Sequence, residues 1–362
     1  TTSVRILAAA GVEEAGSGHP GMPLGMADVG TVLYKNFLKV SNQNPTWINR
    51  DRFILSPGHG SMLLYSLLHL NGFDLSIEDL RNFRQYHSKT PGHPELDPTL
   101  GIDMTTGPLG QGFSTGVGFA VAERYLSELL GNDIIDHFTY GIVSDGDLME
   151  GISFEAAELA AVWQLGKLIY IFDNNNISID GRVTKVSITN QKKKFEAIGW
   201  HVLEIDAHNE DEINTALENA KLVTDKPSLI MAKSIIGKFA PNKQDTSGIH
   251  GSPLGAEEMK EFQQNLEWQG DVFEHDVDVY EYFAEKRAQD NSSYSNWEKI
   301  FKEKYNNDEV FKKSWDLLTS NDMSIDINSE NSSQATRIAG SNILSQIGKA
   351  SNNIIGLSLI HI

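Results

Sequence analysis

The chain has 362 residues, 40% of them apolar, enough for a sizeable core and about two domains at roughly 150 residues each. Thirty Lys and Arg face 49 Asp and Glu, a formal charge of −19, so the basic footprint that nucleic acid requires is missing. Zero cysteines exclude disulfides, thiolate zinc sites and cysteine nucleophiles, and no apolar run approaches the roughly 18 residues that suggest a membrane span. A cytoplasmic protein with neither membrane nor nucleic-acid partner is expected.

The N-terminal stretch TTSVRILAAAGVEEAG lacks the basic-then-apolar order of a secretory leader and reads as an amphipathic helix. Helix and strand signals then alternate, the order that builds a doubly wound parallel α/β sheet with helices on both faces. A helix over Leu24–Phe37 precedes a strand at Arg52–Leu55, and a helix over Gly112–Leu130 precedes one at Phe138–Ser144. A helix over Ser153–Gln164 leads to a strand at Leu168–Asp173. Strands at His201–Asp206 and Ser228–Ser234 then flank a helix over Glu210–Val223. After about Gly251 the character shifts. Glu257 to Ser320 is charged and aromatic with helical spacing, and Thr319–Ser333 is polar and aperiodic, as a linker is. QATRIAGSNILSQIGKA then resumes an amphipathic helix.

Glycine and histidine recur together in four loops: GSGHPG (Gly16–Gly21), SPGHG (Ser56–Gly60), TPGHPE (Thr90–Glu95) and SGIHGSP (Ser247–Pro253). Glycine admits close backbone approach, and histidine exchanges a proton near neutral pH. One such loop is an ordinary turn; four point to a shared site containing His19, His59, His93 and His250. The other seven histidines, His69 and His137 among them, read as core or surface.

Two further segments fall at carboxyl ends of expected strands, where crevices of doubly wound sheets bind ligands. SDGDLMEG (Ser144–Gly151) offers the Asp145 carboxylate, and DNNNISIDG (Asp173–Gly181) offers the Asn175 amide oxygen and the Ile177 carbonyl. Three such oxygens suit hard Mg²⁺ or Ca²⁺, with ligand phosphates completing the shell. Gly146 permits close approach, and the helix N-terminus that follows favours an anion. TTGPLGQG (Thr105–Gly112) is either a tight connection or a way to set Gly107 and Leu109 against a planar ligand; both readings stay open here.

SDG followed after 27 residues by NN resembles the thiamine diphosphate signature, with serine in place of its first glycine. Together with AGSGHPGMPLGMADV, DRFILSPGHGSMLLYSLLHLNGF, TTGPLGQG, VSDGDLMEG and APNKQDTSGIHGSPLG, the chain resembles the N-terminal part of the transketolases from Val4 to Gly356. The resemblance implies a thiamine diphosphate-binding fold and transfer of a two-carbon ketol unit from a ketose phosphate to an aldose phosphate. It implies Mg²⁺ on Asp145, Asn175 and the Ile177 carbonyl, with His59, Gly146 and His250 along the diphosphate and Gly107 and Leu109 beside the pyrimidine. His19, His93 and His250 would surround the reacting carbons. Glu150 would lie at a homodimer interface and couple the two cofactors, and Arg337 would bind the substrate phosphate. Dihydroxyacetone synthase, with formaldehyde as acceptor, is the alternative chemistry. A binding subunit of a split enzyme is the alternative of another class.

The implied division is a diphosphate-binding domain over 1–320, a linker over 321–333, and the start of a pyrimidine-binding domain over 334–356. The resemblance stops after NNIIG. The remaining LSLIHI, residues 357–362, corresponds to CTG TCT CTT ATA CAC ATC, a transposase mosaic-end adapter string. A non-native tail on a truncated chain, inactive by itself, is therefore expected.

Overall fold

In a computed structural model, which describes residues 1–319, 327, 333–351 and 354–355, the apolar runs become strands. In chain order these are β1 (Arg52–Leu55), β2 (Thr139–Ser144), β3 (Leu168–Asn174), β4 (Ile177–Ser178), β5 (Gly181–Arg182), β6 (His201–Asp206) and β7 (Ser228–Lys233). Five of them pair in parallel in the order β1-β2-β3-β7-β6, and β4 and β5 form a small antiparallel hairpin after β3. The five sheet strands match the expected runs to within a residue at each end.

The helices of the first half are α1 (Thr2–Ala15), α2 (Gly21–Val32), α3 (Ser61–Leu70), α4 (Ile77–Arg81) and α5 (Gln111–Leu130). There follow α6 (Asp145–Met149), α7 (Gly151–Val162), α8 (Gln191–Ala197) and α9 (Glu210–Leu222). Beyond the sheet come α10 (Ala256–Asn265), α11 (Val277–Tyr282), α12 (Ala284–Asn307), α13 (Glu309–Thr319) and α14 (Thr336–Ala350). Successive strand side chains point to opposite faces. Ile142, Ile169, Ile171 and Ile230 therefore enter a core shared with α1, α2, α3 and α9. Val143, Tyr170, Phe172 and Leu229 enter a second core with α5, α7 and α8. Burial on both faces is what near-continuous apolar strands require.

Three local expectations need correction. α1 is a helix but not an amphipathic one: every residue from Ser3 to Val12 is buried, because α2, α3, α4 and α10 surround it. Arg5 survives there because its guanidinium donates to the Leu24 carbonyl at 2.9 Å and pairs with Asp28. The Leu24–Phe37 helix starts earlier, at Gly21, and its last stretch, Leu33–Phe37, widens to a π turn. The helix after β2 is one short element, α6, which breaks at Glu150 before α7 begins; the anion-favouring dipole expected there is correspondingly slight.

The charged, aromatic segment is helical as its spacing indicates. α12 and α13 stack Trp297, Phe301, Phe311 and Trp315 against Leu130, Ile134 and Ile135, a third core of their own. The expected linker lies outside the described residues apart from Ile327 and Ser333, and the 357–362 tail lies outside them entirely. Among the described residues no helix is long and apolar enough to cross a membrane.

Gly141 sits opposite Tyr170 in the sheet register, and a Cβ there would lie 2.5 Å from the Tyr170 ring and 3.0 Å from the Ile54 carbonyl. Gly141→Ala is therefore expected to cost about 1–3 kcal/mol. Urea unfolding would show it as a lower midpoint at unchanged slope; an unchanged midpoint would mean that Tyr170 is free to move aside.

Candidate active site

Parallel pairing carries every crossover back across the sheet, so the loops after β1, β2, β3 and β7 all leave from the same edge. His59 follows β1 in a short 3₁₀ turn, Asp145 follows β2 at the first position of α6, and Asn175 comes directly after β3. His250 lies in the long connection from β7 to α10, His19 between α1 and α2, and His93 between α4 and α5. Four loops separated by up to 231 positions in the chain thus meet at one place.

The meeting is close. The His19 and His59 ring centroids are 5.0 Å apart, His59 and His250 5.0 Å, His19 and His250 5.6 Å, and His19 and His93 6.5 Å. Gly251 abuts the His19 ring, where a Cβ would lie at 3.1 Å. Burial, followed by the other imidazoles, pushes the His59 pKa down to about 3. Burial, then His250, Arg84 and His93, pushes His19 down to about 4. His93 is lowered by desolvation and then Arg84, and His250 by desolvation. The cluster is therefore a set of neutral imidazoles at neutral pH. His19 Nδ1 is buried with no hydrogen-bond partner among the described residues.

The oxygens lie at the ends of β2 and β3. Asp145 is 8% exposed, and its Oδ2 is buried without a hydrogen-bond partner. Burial, then the neighbouring Asp173 carboxylate, pushes its pKa up to about 7. Asn175 is fixed at both ends: its Nδ2 donates to Asp173 Oδ2 at 2.9 Å, and its Oδ1 accepts from the Ile177 amide at 2.8 Å. Asp173 also accepts from the Ser234 hydroxyl. An unmet buried carboxylate oxygen beside an oriented amide oxygen and the hairpin backbone of Ile177 is a donor set suited to a hard divalent cation. Among the described residues no three His, Asp or Glu side chains enclose a metal, so such a cation would keep open positions for a ligand's oxygens. Mg²⁺ and Ca²⁺ both fit.

The 105–112 loop connects the two halves. Gly107, at φ +149°, lies against the His93 ring, where a Cβ would be 3.3 Å from the imidazole. Leu109 covers Gly146 so closely that a Cβ on Gly146 would lie 2.8 Å from Leu109 Cδ1. The loop is thus a tight connection packed against His93 on one side and Gly146 on the other. Ser144, which replaces the signature glycine, is put to use: its Oγ accepts from the Asp147 amide at 3.4 Å, and Asp147 Oδ2 accepts from the Ser144 amide at 2.9 Å, a capping box for α6.

Of the other expected site residues, Arg337 stands apart, whereas Glu150 packs against Gly110 of the 105–112 loop, where a Cβ would lie 2.7 Å from Glu150 Cβ. Arg337 is exposed on the first turn of α14 and takes no part in the contacts that build the cluster. Glu150 is exposed between α6 and α7, flanked by exposed Met149 and Ile152. Sequence reasoning passed over Arg84, held at φ +62° in a recess of about 680 Å³ with Ser17, Gly92 and His93; only its position just before TPGHPE could have marked it. It also passed over Asp173, whose strand-end position was visible. His208, read as core or surface, joins Asp28 Oδ2 at 2.8 Å to the Ile235 amide at 3.2 Å and so ties α2 to the segment after β7.

A parallel α/β sheet whose strand ends gather a carboxylate, an oriented amide, glycine loops and neutral imidazoles has the features of a thiamine diphosphate-binding domain. Residues 1–319 match the family described as "Transketolase, thiamine diphosphate binding domain". Transketolase of Bacillus subtilis is 46% identical over 96% of this chain and 54% of its own length. The crystal structure of transketolase from Campylobacter jejuni superposes with a TM-score of 0.88 at 44% identity, over 96% of this chain and 54% of that one. A Pichia stipitis transketolase complex with sedoheptulose 7-phosphate superposes with a TM-score of 0.90 at 37% identity, over 98% and 54%. The chain belongs to the transketolase thiamine diphosphate-binding domain family. It spans about half the length of the relatives it matches.

The lowered imidazole pKa values fix a pH dependence. A histidine whose folded pKa lies below its ordinary 6.5 binds its proton more readily when unfolded. Its contribution is therefore full above about 6.5 and is lost as pH falls towards 3. His59→Gln is expected to flatten the acid limb of stability relative to the unaltered chain. Imidazole NMR titration is expected to place His19 near pH 4 and His59 near 3; a His59 midpoint near 6.5 would contradict the desolvation of the cluster.

Proposed function

We propose that this chain forms the diphosphate-holding part of a thiamine diphosphate- and Mg²⁺-dependent transketolase. That enzyme would move a two-carbon ketol unit from a ketose phosphate, such as xylulose 5-phosphate, to an aldose phosphate, such as ribose 5-phosphate. The observations that carry the reading are the buried, unpartnered Asp145 oxygen beside Asn175 and Ile177, and the cluster of neutral imidazoles. The sugar phosphate in the similar Pichia stipitis complex supports the substrate class.

In this reading Asp145, Asn175 and the Ile177 carbonyl hold Mg²⁺, or Ca²⁺ in its place. His59, Gly146 and His250 line the diphosphate, and Gly107 and Leu109 lie against the pyrimidine. Once bound, the cofactor supplies the electron sink for cleavage beside a carbonyl, and the metal offsets the diphosphate charge. The chain's own part is position and proton traffic. His19, His93 and His250 are neutral near pH 7, so each can take a hydroxyl proton as a carbon–carbon bond breaks and return it as the next one forms. His19 Nδ1 has no competing partner among the described residues. Desolvation around the imidazoles strengthens every polar contact made there.

The overall charge of −19 repels sugar phosphates at long range, so local cations must override it. Arg84 beside His93 is one, the bound metal a second, and Arg337 of α14 the third. α14 itself is read as the first element of a pyrimidine-binding domain, beyond a diphosphate-binding domain over 1–320 and a linker over 321–333. The apolar surface formed by Met149 and Ile152 around Glu150 is read as the homodimer interface through which two cofactors are coupled. A cytoplasmic setting accords with this metabolism.

Asp145 gives the test. Its folded pKa, near 7 against an ordinary 3.8, means that its contribution to the metal-free fold is present below 3.8 and lost as pH rises through about 7. Asp145→Asn is expected to stabilise the metal-free chain at pH 8. It is also expected to remove the stabilisation by Mg²⁺ with thiamine diphosphate, about 2.7 kcal/mol for the unaltered chain at a hundredfold excess over Kd. Thermal unfolding with and without both ligands measures this. A variant that keeps the ligand-dependent stabilisation would overturn the assignment.

A further inference from the structure

Asp147 was read only as part of the acidic motif, yet no part of its side chain reaches solvent. Its carboxylate accepts four hydrogen bonds from three separate segments. Oδ1 takes the Ser56 hydroxyl at 2.6 Å, from the segment after β1, and the Gly110 amide at 2.9 Å, from the 105–112 loop. Oδ2 takes the Ser144 amide and hydroxyl, each at 2.9 Å, from the end of β2. Ser56 Oγ in turn accepts from the Phe113 amide at 2.9 Å, which fixes the start of α5. The same three segments carry His59, Gly107 with Leu109, and Asp145 with Gly146. They interlock elsewhere too: a Cβ on Gly58 would lie 2.9 Å from the Gly107 nitrogen.

We propose that Asp147 is a positioning residue whose carboxylate sets the spacing between the Gly107–Leu109 loop and the Asp145–Gly146 turn, and thereby the affinity for the pyrimidine end of thiamine diphosphate. The proposal rests on the cofactor reading given above. Only an ionised carboxylate, with acceptors on both oxygens, satisfies all four donors. An asparagine would turn its NH₂ towards either the Ser144 or the Gly110 amide. Hydroxyls can reorient to accept from it, but a backbone N–H cannot. The capping box lies within a single turn, so the Gly110 amide is the donor left unpaired, and the 105–112 loop loses its tether while Asp145 keeps its place.

Asp147→Asn is expected to speed hydrogen exchange at the Gly110 amide at least about tenfold, the scale of a lost hydrogen bond to a charged group. Calorimetry on the whole chain is expected to show Mg²⁺ thiamine diphosphate binding weakened by at least about tenfold, and Mg²⁺ pyrophosphate binding held within about twofold. Leu217→Ala, a cavity in the core of α9, serves as the stability-matched comparator and is expected to change neither affinity. If Asp147→Asn does not fold, Ser56→Ala carries the same test through the other donor to Oδ1, with a smaller loss in the same direction. Unchanged Gly110 exchange, equal losses for both ligands, or equal losses in the Leu217 variant would overturn the proposal while the cofactor reading stands. An unaltered chain that binds Mg²⁺ thiamine diphosphate no better than Mg²⁺ pyrophosphate would overturn both.

Discussion

A parallel sheet with both faces buried leaves chemistry nowhere to go except the ends of its strands. That constraint organises this molecule. Ile171 and Tyr170, neighbours in β3, are committed to opposite cores, so no side chain in the strand interior is free to meet a ligand. The polar groups that follow the strands are a different matter. Ser56, Asp145, Asn175 and Ser234 each come within a residue or so of a strand end, and the register of the sheet, not the sequence separation, decides which of them meet.

The gathered groups are then shaped by what burial does to charge. Four imidazoles brought within 5.0–6.5 Å of one another along the measured pairs cannot all be protonated, and desolvation makes even one proton costly. The ends of β2 and β3 hold two carboxylates, Asp145 and Asp173, both with raised pKa and with different answers to the problem. Asp173 is answered internally by Ser234 and Asn175. Asp145 has no such answer for Oδ2 among the described residues, which separates a residue whose bonds tie strand ends together from one with an oxygen left unmet. Two neighbouring acids in one motif, Asp145 and Asp147, divide in the same way.

Much of this was legible in the sequence because apolar runs and strand-end polar clusters are local signals. The five strands, the four glycine-histidine loops, Asp145 and Asn175 all belong to that kind. What escaped depended on the surroundings. α1 carries enough polar residues to suggest a solvated face, but the stretch Ala8–Gly11 is small enough for neighbouring helices to close over it. The two-residue strands β4 and β5 are too short for any periodicity to register, although they orient the Ile177 backbone. Arg84 and His208 gain meaning only from partners distant in sequence. Asp147 was hidden by its own motif: sequence shows an acid, and only the three converging segments show that its carboxylate points inward.

The replacement of glycine by Ser144 at the head of the signature shows how such a motif can vary without losing its geometry. A glycine there gives only room. The serine adds a side-chain N-cap for α6 and a hydroxyl donor to Asp147 Oδ2, beside the backbone amide that glycine would also supply. Serine and aspartate three residues apart are thus one device. A carboxylate buried at that point would be costly without the serine, and the serine hydroxyl would lack an acceptor without the carboxylate. Because Asp147 also reaches Gly110 and Ser56, the substitution is coupled to the loop that covers Gly146 and to the segment that carries His59. The serine at the first position of the motif is therefore tied into the hydrogen-bonded shell around Asp147, which also holds Gly110 and Ser56.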